Sequence, residues 1–324
     1  MRIFIVIFII AVVLAVLWLL IGFYGFRVAM GRGKDMDIEE RRKIKGSSWD
    51  VYYDEIRAGM DWISAQEKEA VSIVSDDGLK LYGNLILHPQ ARGTVILFHG
   101  YRTSGATDFS ASSENYYNLG FNLLHVDQRA CERSEGKYVT FGIRERFDCL
   151  RWVEYVSGRF GKDSVIFLGG LSMGASTVLM ASGAPLPENV RGLIVDCPFD
   201  SPKNIIGRTI RTRYHVSPKL FFPAINLWSR MLAGVSLTEY STQEAMEANR
   251  TPILFAHGKA DDYVPCEMTV KTYEACRAPK ELFLVEGAGH GVSFLIEPEE
   301  YKKKIAEFVE AHIGENGEQA ENET

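Results

Sequence analysis

Val165-Ile-Phe-Leu-Gly-Gly-Leu-Ser-Met-Gly-Ala-Ser176 is the stretch that decides the fold of this chain. Its apolar, β-favouring start predicts a strand, and the Ala/Ser/Thr/Val/Leu/Met run that follows predicts a helix, which places Ser172 at the turn between them. Gly170 and Gly174 leave room for a turn that is too tight for side chains at those positions. A Gly-rich turn without a catalytic role has the same local pattern, so the rest of the chain must decide between the two interpretations.

The composition limits the class of protein. The chain has 324 residues, of which 46% are hydrophobic, and this is enough for one large α/β domain with an addition. The net charge is −6 and basic blocks are confined to the juxtamembrane region, so we expect no nucleic-acid partner. The cysteines lack CxxC spacing and neighbouring histidines, which predicts buried thiols and no metal site: Cys131, Cys149, Cys197, Cys266 and Cys276.

Residues 1–25 are predicted to form a single-pass membrane anchor. The run from Ile3 to Phe23 contains no charged residue and is long enough to cross a bilayer. Because no small-x-small cleavage site follows it, an uncleaved anchor is the first interpretation and a cleaved signal peptide the second. The basic residues after the run favour a cytoplasmic catalytic domain, whereas single N-terminal anchors often export the domain that follows, so the orientation stays open.

Strand-like and helix-like segments alternate over the predicted domain, residues 66–313. A juxtamembrane stalk and packing helix at 26–65 precede it, and a D-G turn at Asp77-Gly78 predicts a hairpin. This alternation predicts an α/β fold with a mostly parallel, eight-stranded sheet and helices on both faces. The strands after the hairpin are predicted at 94–98, 122–126, 165–168, 192–195, 252–256 and 281–285.

One interval, at about 200–248, is too long for a single crossover. Its aromatic content predicts a helical cap, inserted after the sixth strand, that overhangs the serine; the alternative is a helix pair that completes the core. The candidate pocket residues in this cap are Tyr214, Phe221, Phe222 and Trp228. The acidic, polar residues 314–324 are predicted to be a disordered tail.

Two later strand ends supply candidates for the base and the acid that a serine nucleophile needs. His290 lies between glycines just after the strand at 281–285, on a loop that could reach both partners. Asp261 and Asp262 follow the strand at 252–256, and both are candidates for the acid. At the start of the predicted helix after Ser172, the backbone N–H of Met173 can meet a developing oxyanion.

From about Val71 to Ile313 the order of these segments resembles that of α/β-hydrolases. The G-x-S-x-G turn resembles their nucleophile elbow, and residues 257–265 resemble their H-G-x-x-D-x-x-V-P segment. The chain is most similar to membrane-anchored bacterial serine hydrolases related to the prolyl oligopeptidase and acylglycerol-lipase groups. The resemblance implies a catalytic triad of Ser172, Asp261 and His290, with Asp262 as the rival that caps a helix or faces solvent.

The resemblance also implies an oxyanion hole. The loop Phe98-His-Gly-Tyr-Arg102 resembles the family's H-G-x, which makes the backbone N–H of Tyr101 the second donor beside that of Met173. The side chains of Tyr101 and Arg102 would then lie near the mouth of the site. His99 and His257, each before a glycine at a strand end, are expected to bond to local loop backbone.

One loop departs from the family's pattern. Where D-x-R-G-H-G-x-S-x-G is common, this chain has Asp127-Gln-Arg-Ala-Cys-Glu-Arg-Ser-Glu-Gly136. We expect Asp127 and Arg129 to form an ion pair at the strand end. The altered centre leaves the conformation of this loop unpredicted.

The expected function is that of a serine hydrolase that cleaves a small-molecule or lipid carboxylic ester through an acyl-enzyme, with no metal and no cofactor. Two alternatives stay open. One is a small serine peptidase of aminopeptidase type, which would favour amino-acid anilides over esters. The other is a non-catalytic binding protein on a hydrolase fold, against which the presence of all three triad residues argues. The oligomeric state is not predicted.

Overall fold

The computed structural model describes residues 1–33 and 49–314. Eight strands form one sheet: β1 (Glu69–Val74), β2 (Lys80–Ile86), β3 (Gly93–Phe98), β4 (Phe121–Val126), β5 (Ile166–Leu171), β6 (Val190–Asp196), β7 (Ile253–Gly258) and β8 (Lys280–Val285). The helices before β7 are α1 (Arg2–Met30), α2 (Tyr53–Ala65), α3 (Gly105–Asp108), α4 (Ser110–Asn118), α5 (Glu145–Phe160), α6 (Met173–Ala181), α7 (Pro202–Tyr214), α8 (Pro218–Trp228) and α9 (Thr242–Ala248). Those after β7 are α10 (Cys266–Ala275), α11 (Ser293–Ile296) and α12 (Pro298–His312).

The strand order across the sheet is β1-β2-β4-β3-β5-β6-β7-β8. The hairpin strands β1 and β2 are antiparallel, β2 is antiparallel to β4, and every pairing from β4 to β8 is parallel. This confirms the predicted eight-stranded, mostly parallel sheet. All residues of β3, β4, β5 and β7 are buried, as expected for parallel strands that are covered on both sides.

Helices cover both faces of the sheet. On one face α5 and α6 pack through residues such as Trp152 and Val178, both of which are buried. On the other face α4 and α12 pack through residues such as Tyr116 and Phe308. Because the helices occupy the faces, the loops at the carboxyl ends of the parallel strands are left to build a site.

Helix α1 extends to Met30, beyond the predicted boundary at residue 25, and its C-terminal part packs into the domain. Phe26 and Met30 are fully buried. A Cβ atom on Gly22 would lie 2.3 Å from the Cβ of Ala224, so α1 and α8 are in backbone-close contact here. Within the described ranges α1 is long and apolar enough to cross a membrane.

The interval between β6 and β7 contains α7, α8, a π-helical turn at Ser229–Ala233 and α9, at the position predicted for the cap. The predicted packing helix is α2, which lies on α4, since a Cβ on Gly59 would be 2.1 Å from the carbonyl oxygen of Ser110. The rest of the predicted stalk, residues 34–48, and nearly all of the predicted tail lie outside the described residues.

Candidate active site

The turn between β5 and α6 holds Ser172 in a strained conformation. Its φ is +54° and its ψ is −114°, a region that non-glycine residues rarely adopt. Both flanking glycines are required by close packing, because a Cβ on Gly174 would lie 1.8 Å from the carbonyl oxygen of Phe98 and one on Gly170 would lie 2.6 Å from the backbone of Ala175. The turn therefore fixes the serine at the carboxyl edge of the sheet.

Three predicted site residues come together at this edge. The Nε2 atom of His290 lies 2.9 Å from the Oγ of Ser172, and its Nδ1 atom lies 2.7 Å from the Oδ2 of Asp261. The loops after β5, β7 and β8 supply one side chain each. The Asp261 side chain is fully buried and that of His290 is 19% exposed, so a partly exposed imidazole joins a buried carboxylate to the Ser172 hydroxyl. This arrangement can move a proton from Ser172 onto an imidazole.

The two neighbouring aspartates lie in different environments. The Oδ1 atom of Asp261 accepts hydrogen bonds from the backbone N–H groups of Tyr263 and Val264, at 2.9 and 2.8 Å. Asp262 is exposed. Burial alone would raise the pKa of Asp261, but hydrogen bonds with His257 and His290 lower it well below the ordinary carboxyl value. Asp261 is therefore a carboxylate at neutral pH. It bonds to the imidazole of His290, whereas Asp262 is exposed to solvent.

His257 makes a contact that the sequence did not indicate. Its Nε2 atom lies 2.9 Å from the carbonyl oxygen of Val264, as expected for a bond to loop backbone, but also 3.2 Å from the Oδ2 of Asp261. Its Nδ1 atom lies 2.6 Å from the Oγ1 of Thr269. Asp261 is thus held by two imidazoles. The four-residue spacing of His257 and Asp261 at a strand end was the available signal.

The loop after β3 is held from two sides. The backbone N–H of Gly100 donates to the Oδ2 of Asp108 at 2.6 Å, which fixes the start of the turn. The hydroxyl of Tyr101 donates to the carbonyl oxygen of Ala29 at 2.8 Å, and the guanidinium of Arg102 donates to that of Val28 at 3.0 Å. The predicted oxyanion loop therefore bonds directly to the end of α1.

Comparisons with known proteins agree with this architecture. No protein-family model matches the chain. Over 244 residues it is 28% identical to the uncharacterized protein YqkD of Bacillus subtilis, with 75% of this chain and 80% of YqkD covered. It is 25% identical over 280 residues to the human alpha/beta hydrolase domain-containing protein 17B, with 83% and 84% covered. A solved structure of the Pyrococcus furiosus esterase Pf2001 is 25% identical with a TM-score of 0.62, over 77% of this chain and 94% of the esterase.

By fold, the chain is an α/β-hydrolase. The strand order, the strained serine turn and the loops after β7 and β8 all lie where that fold has them. The structure differs from the predicted pattern in two regions, the loop at 127–136 and the inserted segment.

The predicted ion pair between Asp127 and Arg129 is wrong. Arg129 is buried and bonds to Asp148 of α5 at 2.6 Å and to Asp77 of the hairpin turn at 2.9 Å, whereas Asp127 bonds to Arg133 at 2.9 Å. The chain turns back after Arg129, which brings Arg133 over Asp127 and leaves Arg129 to carboxylates that are distant in the sequence. Left-handed conformations at Ala130, with φ +58°, and Glu132, with φ +45°, make this reversal.

The aromatic residues of the inserted segment lie in three different settings. Trp228 donates from Nε1 to the carbonyl oxygen of Leu19 at 2.9 Å, and Phe222 is buried in a cluster that includes Phe26. Tyr214 is 46% exposed, and Phe221 is half-buried. Their place in a substrate pocket stays a prediction, and for Phe222 and Trp228 the packing against α1 does not support it.

One group of side chains in the described residues has the spacing of a metal site. Ligand atoms of Cys197, Asp261 and His290 lie within 4.8 Å of one another. Both ring nitrogens of His290 already bond to Ser172 and Asp261, and burial raises the pKa of the Cys197 thiol well above its ordinary value. A thiol that stays protonated is a poor ligand, so these residues suit proton transfer better than metal binding.

Proposed function

We propose that this α/β-hydrolase is a membrane-anchored serine hydrolase that cleaves carboxylic esters through an acyl-enzyme. The proposal rests on one observation, the chain of two hydrogen bonds from Ser172 through His290 to Asp261. The Pyrococcus furiosus neighbour is an esterase by name, which supports the ester class. A second solved structure of the same fold, Est1E from Butyrivibrio proteoclasticus, has ferulic acid bound and is 19% identical with a TM-score of 0.56, over 76% of this chain and all of that chain.

The proposed chemistry is acyl transfer to water. His290 accepts the proton of the Ser172 hydroxyl while Oγ attacks the ester carbonyl carbon, and it then gives that proton to the departing alcohol. Water, deprotonated by the same imidazole, attacks the acyl-serine, and the acid product leaves as the proton returns to Ser172. Asp261 holds the tautomer in which Nδ1 carries hydrogen, and it stabilises the imidazolium that forms in each step.

The negative charge on the tetrahedral oxygen needs donors that are in place beforehand. We assign this role to the backbone N–H groups of Tyr101 and Met173. Met173 is the first residue of α6, so its N–H points out of a helix N-terminus where the helix dipole favours negative charge. Tyr101 is held by its bond to α1 and by a ring that stacks on Phe141 at 5.5 Å between centroids.

The proposed anchor is α1, and a substrate with a hydrophobic acyl chain is the class we favour. Between Ile3 and Ile21, most side chains of α1 are apolar and exposed, as expected for a helix that contacts lipid. The same helix packs beside the predicted oxyanion loop, so the reaction would take place close to the membrane surface. A lipid ester or an acylated protein fits this position.

The first test is labelling of the full chain in detergent with a fluorophosphonate probe, followed by peptide mass spectrometry. We expect the label on Ser172 and its loss in Ser172→Ala. Ser217→Ala is the matched control, because Ser217 is exposed and makes no capping bond at the start of α8, and it should label normally. Absence of label on folded wild-type protein would favour the non-catalytic alternative.

The second test separates esters from peptides. Turnover of p-nitrophenyl esters of increasing acyl length is compared with that of amino-acid anilides, with Ser172→Ala as the blank. We expect ester turnover to exceed anilide turnover and to rise with acyl length. The reverse order would replace the ester assignment with the peptidase one.

A further inference from the structure

The inserted segment has a positive net charge, opposite in sign to that of the whole chain. From Ser201 to Thr238 there is no aspartate and no glutamate, although the whole chain has a net charge of −6. Its basic residues are Lys203, Arg208, Arg211, Arg213, Lys219 and Arg230. All except Arg208 are exposed. The segment is therefore a cationic surface on an acidic protein.

The same segment also exposes apolar side chains. Leu220 is 56% exposed, Met231 63% and Leu232 42%, and Val216 and Leu227 are each 38% exposed. They lie on α8, on the turn before it and on the π-helical turn after it. Most of the basic side chains lie on α7, and the apolar ones lie on α8 and the turns beside it. A helical surface that exposes both kinds of side chain is typical of segments that lie in a membrane interface.

The contact with α1 sets the depth of this segment. The uncharged run of α1 from Ile3 to Phe26 spans about 36 Å at 1.5 Å per residue, which exceeds a hydrocarbon core of about 30 Å. Trp18, inside that run, donates from Nε1 to the carbonyl oxygen of Leu220 at 2.7 Å. Gly22 lies against Ala224. Helix α8 is thus level with Trp18 to Gly22, which lie within about 8 Å of the boundary between hydrocarbon and headgroups when the core begins at Ile3.

We propose that α7, α8 and the π-helical turn dock on an anionic bilayer beside α1, with their apolar side chains in the lipid and their basic side chains among the headgroups. Two features favour lipid over a protein partner. The surface is continuous with α1, which is itself apolar and exposed over most of its length. Its charge is complementary to anionic lipids, for which each nearby Lys or Arg contributes attraction.

Docking would also fix the orientation of the active site. Arg208 of α7 donates from Nη2 to the carbonyl oxygen of Asp262 at 2.6 Å and from Nε to that of Tyr263 at 3.1 Å. Tyr263 in turn packs on the ring of His290, with 5.1 Å between centroids. The docked surface is therefore one contact away from the loop that carries Asp261. The inference depends on α1 being a membrane helix, but not on the reaction.

The test measures the depth of single fluorescent probes in the full chain, reconstituted in vesicles. In a Cys266→Ser background the other cysteines are buried, so an NBD label can be placed at Leu220→Cys, Met231→Cys or Leu14→Cys. Val74→Cys, on the edge strand β1, is the control for an exposed apolar position away from the insert. Quenching by doxyl-labelled phosphatidylcholine reports contact with lipid.

We expect lipid quenching at residues 14, 220 and 231 and none at residue 74, with stronger quenching at 220 and 231 when phosphatidylglycerol is present. Replacing Lys203, Arg211 and Lys219 by Gln should lower the equilibrium constant for docking of the segment on the bilayer by about fivefold for each residue. Neutralising Lys162, Lys271 and Arg277, which are exposed elsewhere, should have no effect. Vesicles without phosphatidylglycerol should remove the difference between the two triple variants.

Three results would overturn the proposal, and they differ from one another. Quenching at residue 14 with water-like emission at 220 and 231 would leave the anchor and exclude docking. Blue-shifted emission at 220 without lipid quenching would mean that a protein, such as a second copy of this chain, covers the surface. Lack of quenching at residue 14 would exclude both the anchor and docking, whatever the esterase tests show.

Discussion

The two sides of the active site are supported by different parts of the molecule. Ser172, Asp261 and His290 are carried by loops that follow β5, β7 and β8, and these loops are held by the sheet and by each other. Tyr101 and Arg102, on the opposite side, bond to carbonyl groups at the end of α1. The proposed proton-transfer side therefore depends on the domain alone, whereas the proposed oxyanion side depends also on α1.

The altered loop at 127–136 and the residues just after it are, like Tyr101 and Arg102, supported by the end of α1. The backbone N–H of Arg32 donates to the carbonyl oxygen of Lys137 at 2.8 Å, and that of Val139 donates to Met30 at 2.8 Å. Gly31 and Tyr138 form an isolated antiparallel bridge. The chain that leaves α1 is thus hydrogen-bonded to residues 137–139, directly after the loop that departs from the predicted pattern. The comparison leads to four predictions, in order of decreasing effect.

The largest effect should come from the side held by the sheet. In Asp261→Asn the imidazole loses the carboxylate that orients it, so kcat for an ester should fall by about 10⁴-fold with little change in folding. Asp262→Asn, one residue away and exposed, is the control and should change kcat by less than about twofold, because it lacks a contact with His290. Equal effects of the two changes would show that the acid is misassigned. Steady-state kinetics and a denaturation midpoint for each variant decide the matter.

Truncation tests the side that depends on α1. Deletion of residues 1–33 removes Phe26 and Met30, and exposing the surfaces that these two side chains cover should lower the free energy of unfolding by about 3–6 kcal/mol. Deletion of residues 1–17 keeps Trp18 and every contact described here between α1 and the domain, so stability in detergent should be nearly unchanged. Guanidinium denaturation of the two truncated chains and the full chain measures this. Equal stability of the three would contradict the dependence on α1.

Arg129→Met tests the support of the altered loop. The change leaves Asp148, which is 6% exposed, without its guanidinium partner, and should cost about 3–5 kcal/mol near pH 8. Burial already raises the pKa of Asp148 from its ordinary 3.8 to about 6, against the effect of Arg129, so the folded state binds a proton more readily than the unfolded one.

The pH dependence of this variant has a defined sign. Because the folded-state pKa is raised, the lost stability should return as the pH falls from about 8 toward 5, where Asp148 is protonated in the folded protein. Arg133→Met is the control, since Arg133 is 42% exposed and its loss should cost about 1 kcal/mol or less. Urea denaturation at several pH values checks both. A cost that grows toward low pH would contradict the assignment.

The smallest effect is expected at the contact between the proposed oxyanion loop and α1. Tyr101→Phe removes only the hydroxyl that donates to Ala29, a bond worth about 1 kcal/mol, and should lower kcat by about fivefold with KM unchanged. Tyr24→Phe, on a part of α1 that is 63% exposed, should be neutral. A larger loss than that of Asp261→Asn would mean that the two sides are not separable in this way.

The sequence was sufficient for the parts of the molecule that depend on local pattern and strand order. The serine turn, the strands and the loops that bring Asp261 and His290 near Ser172 follow from parallel strands whose carboxyl ends meet at one edge. A strand that is covered on both faces has a continuous run of apolar residues, and the sequences of β3, β5 and β7 have such runs.

Long-range side-chain pairing could not be predicted. Arg129 bonds to Asp77 and Asp148, which are 52 and 19 residues away, because the hairpin turn and α5 meet there only in the folded chain. The contact of Gly22 with Ala224 could not be predicted for the same reason, because the sequence pattern of α1 does not indicate that of α8. The contact of His257 with Asp261 is different, because these residues are only four positions apart and their spacing could have indicated it.

The continuity of α1 from Arg2 to Met30 has a geometric consequence. A helix without a break is a rigid rod, and Ala29, which holds Tyr101, lies about 16 Å along it from Trp18. With α1 in a bilayer, the reactive serine would work at a fixed height above the lipid, and its encounters with membrane-bound molecules would be a search in two dimensions. An ester buried deeper than that height would have to rise out of its leaflet before it could react.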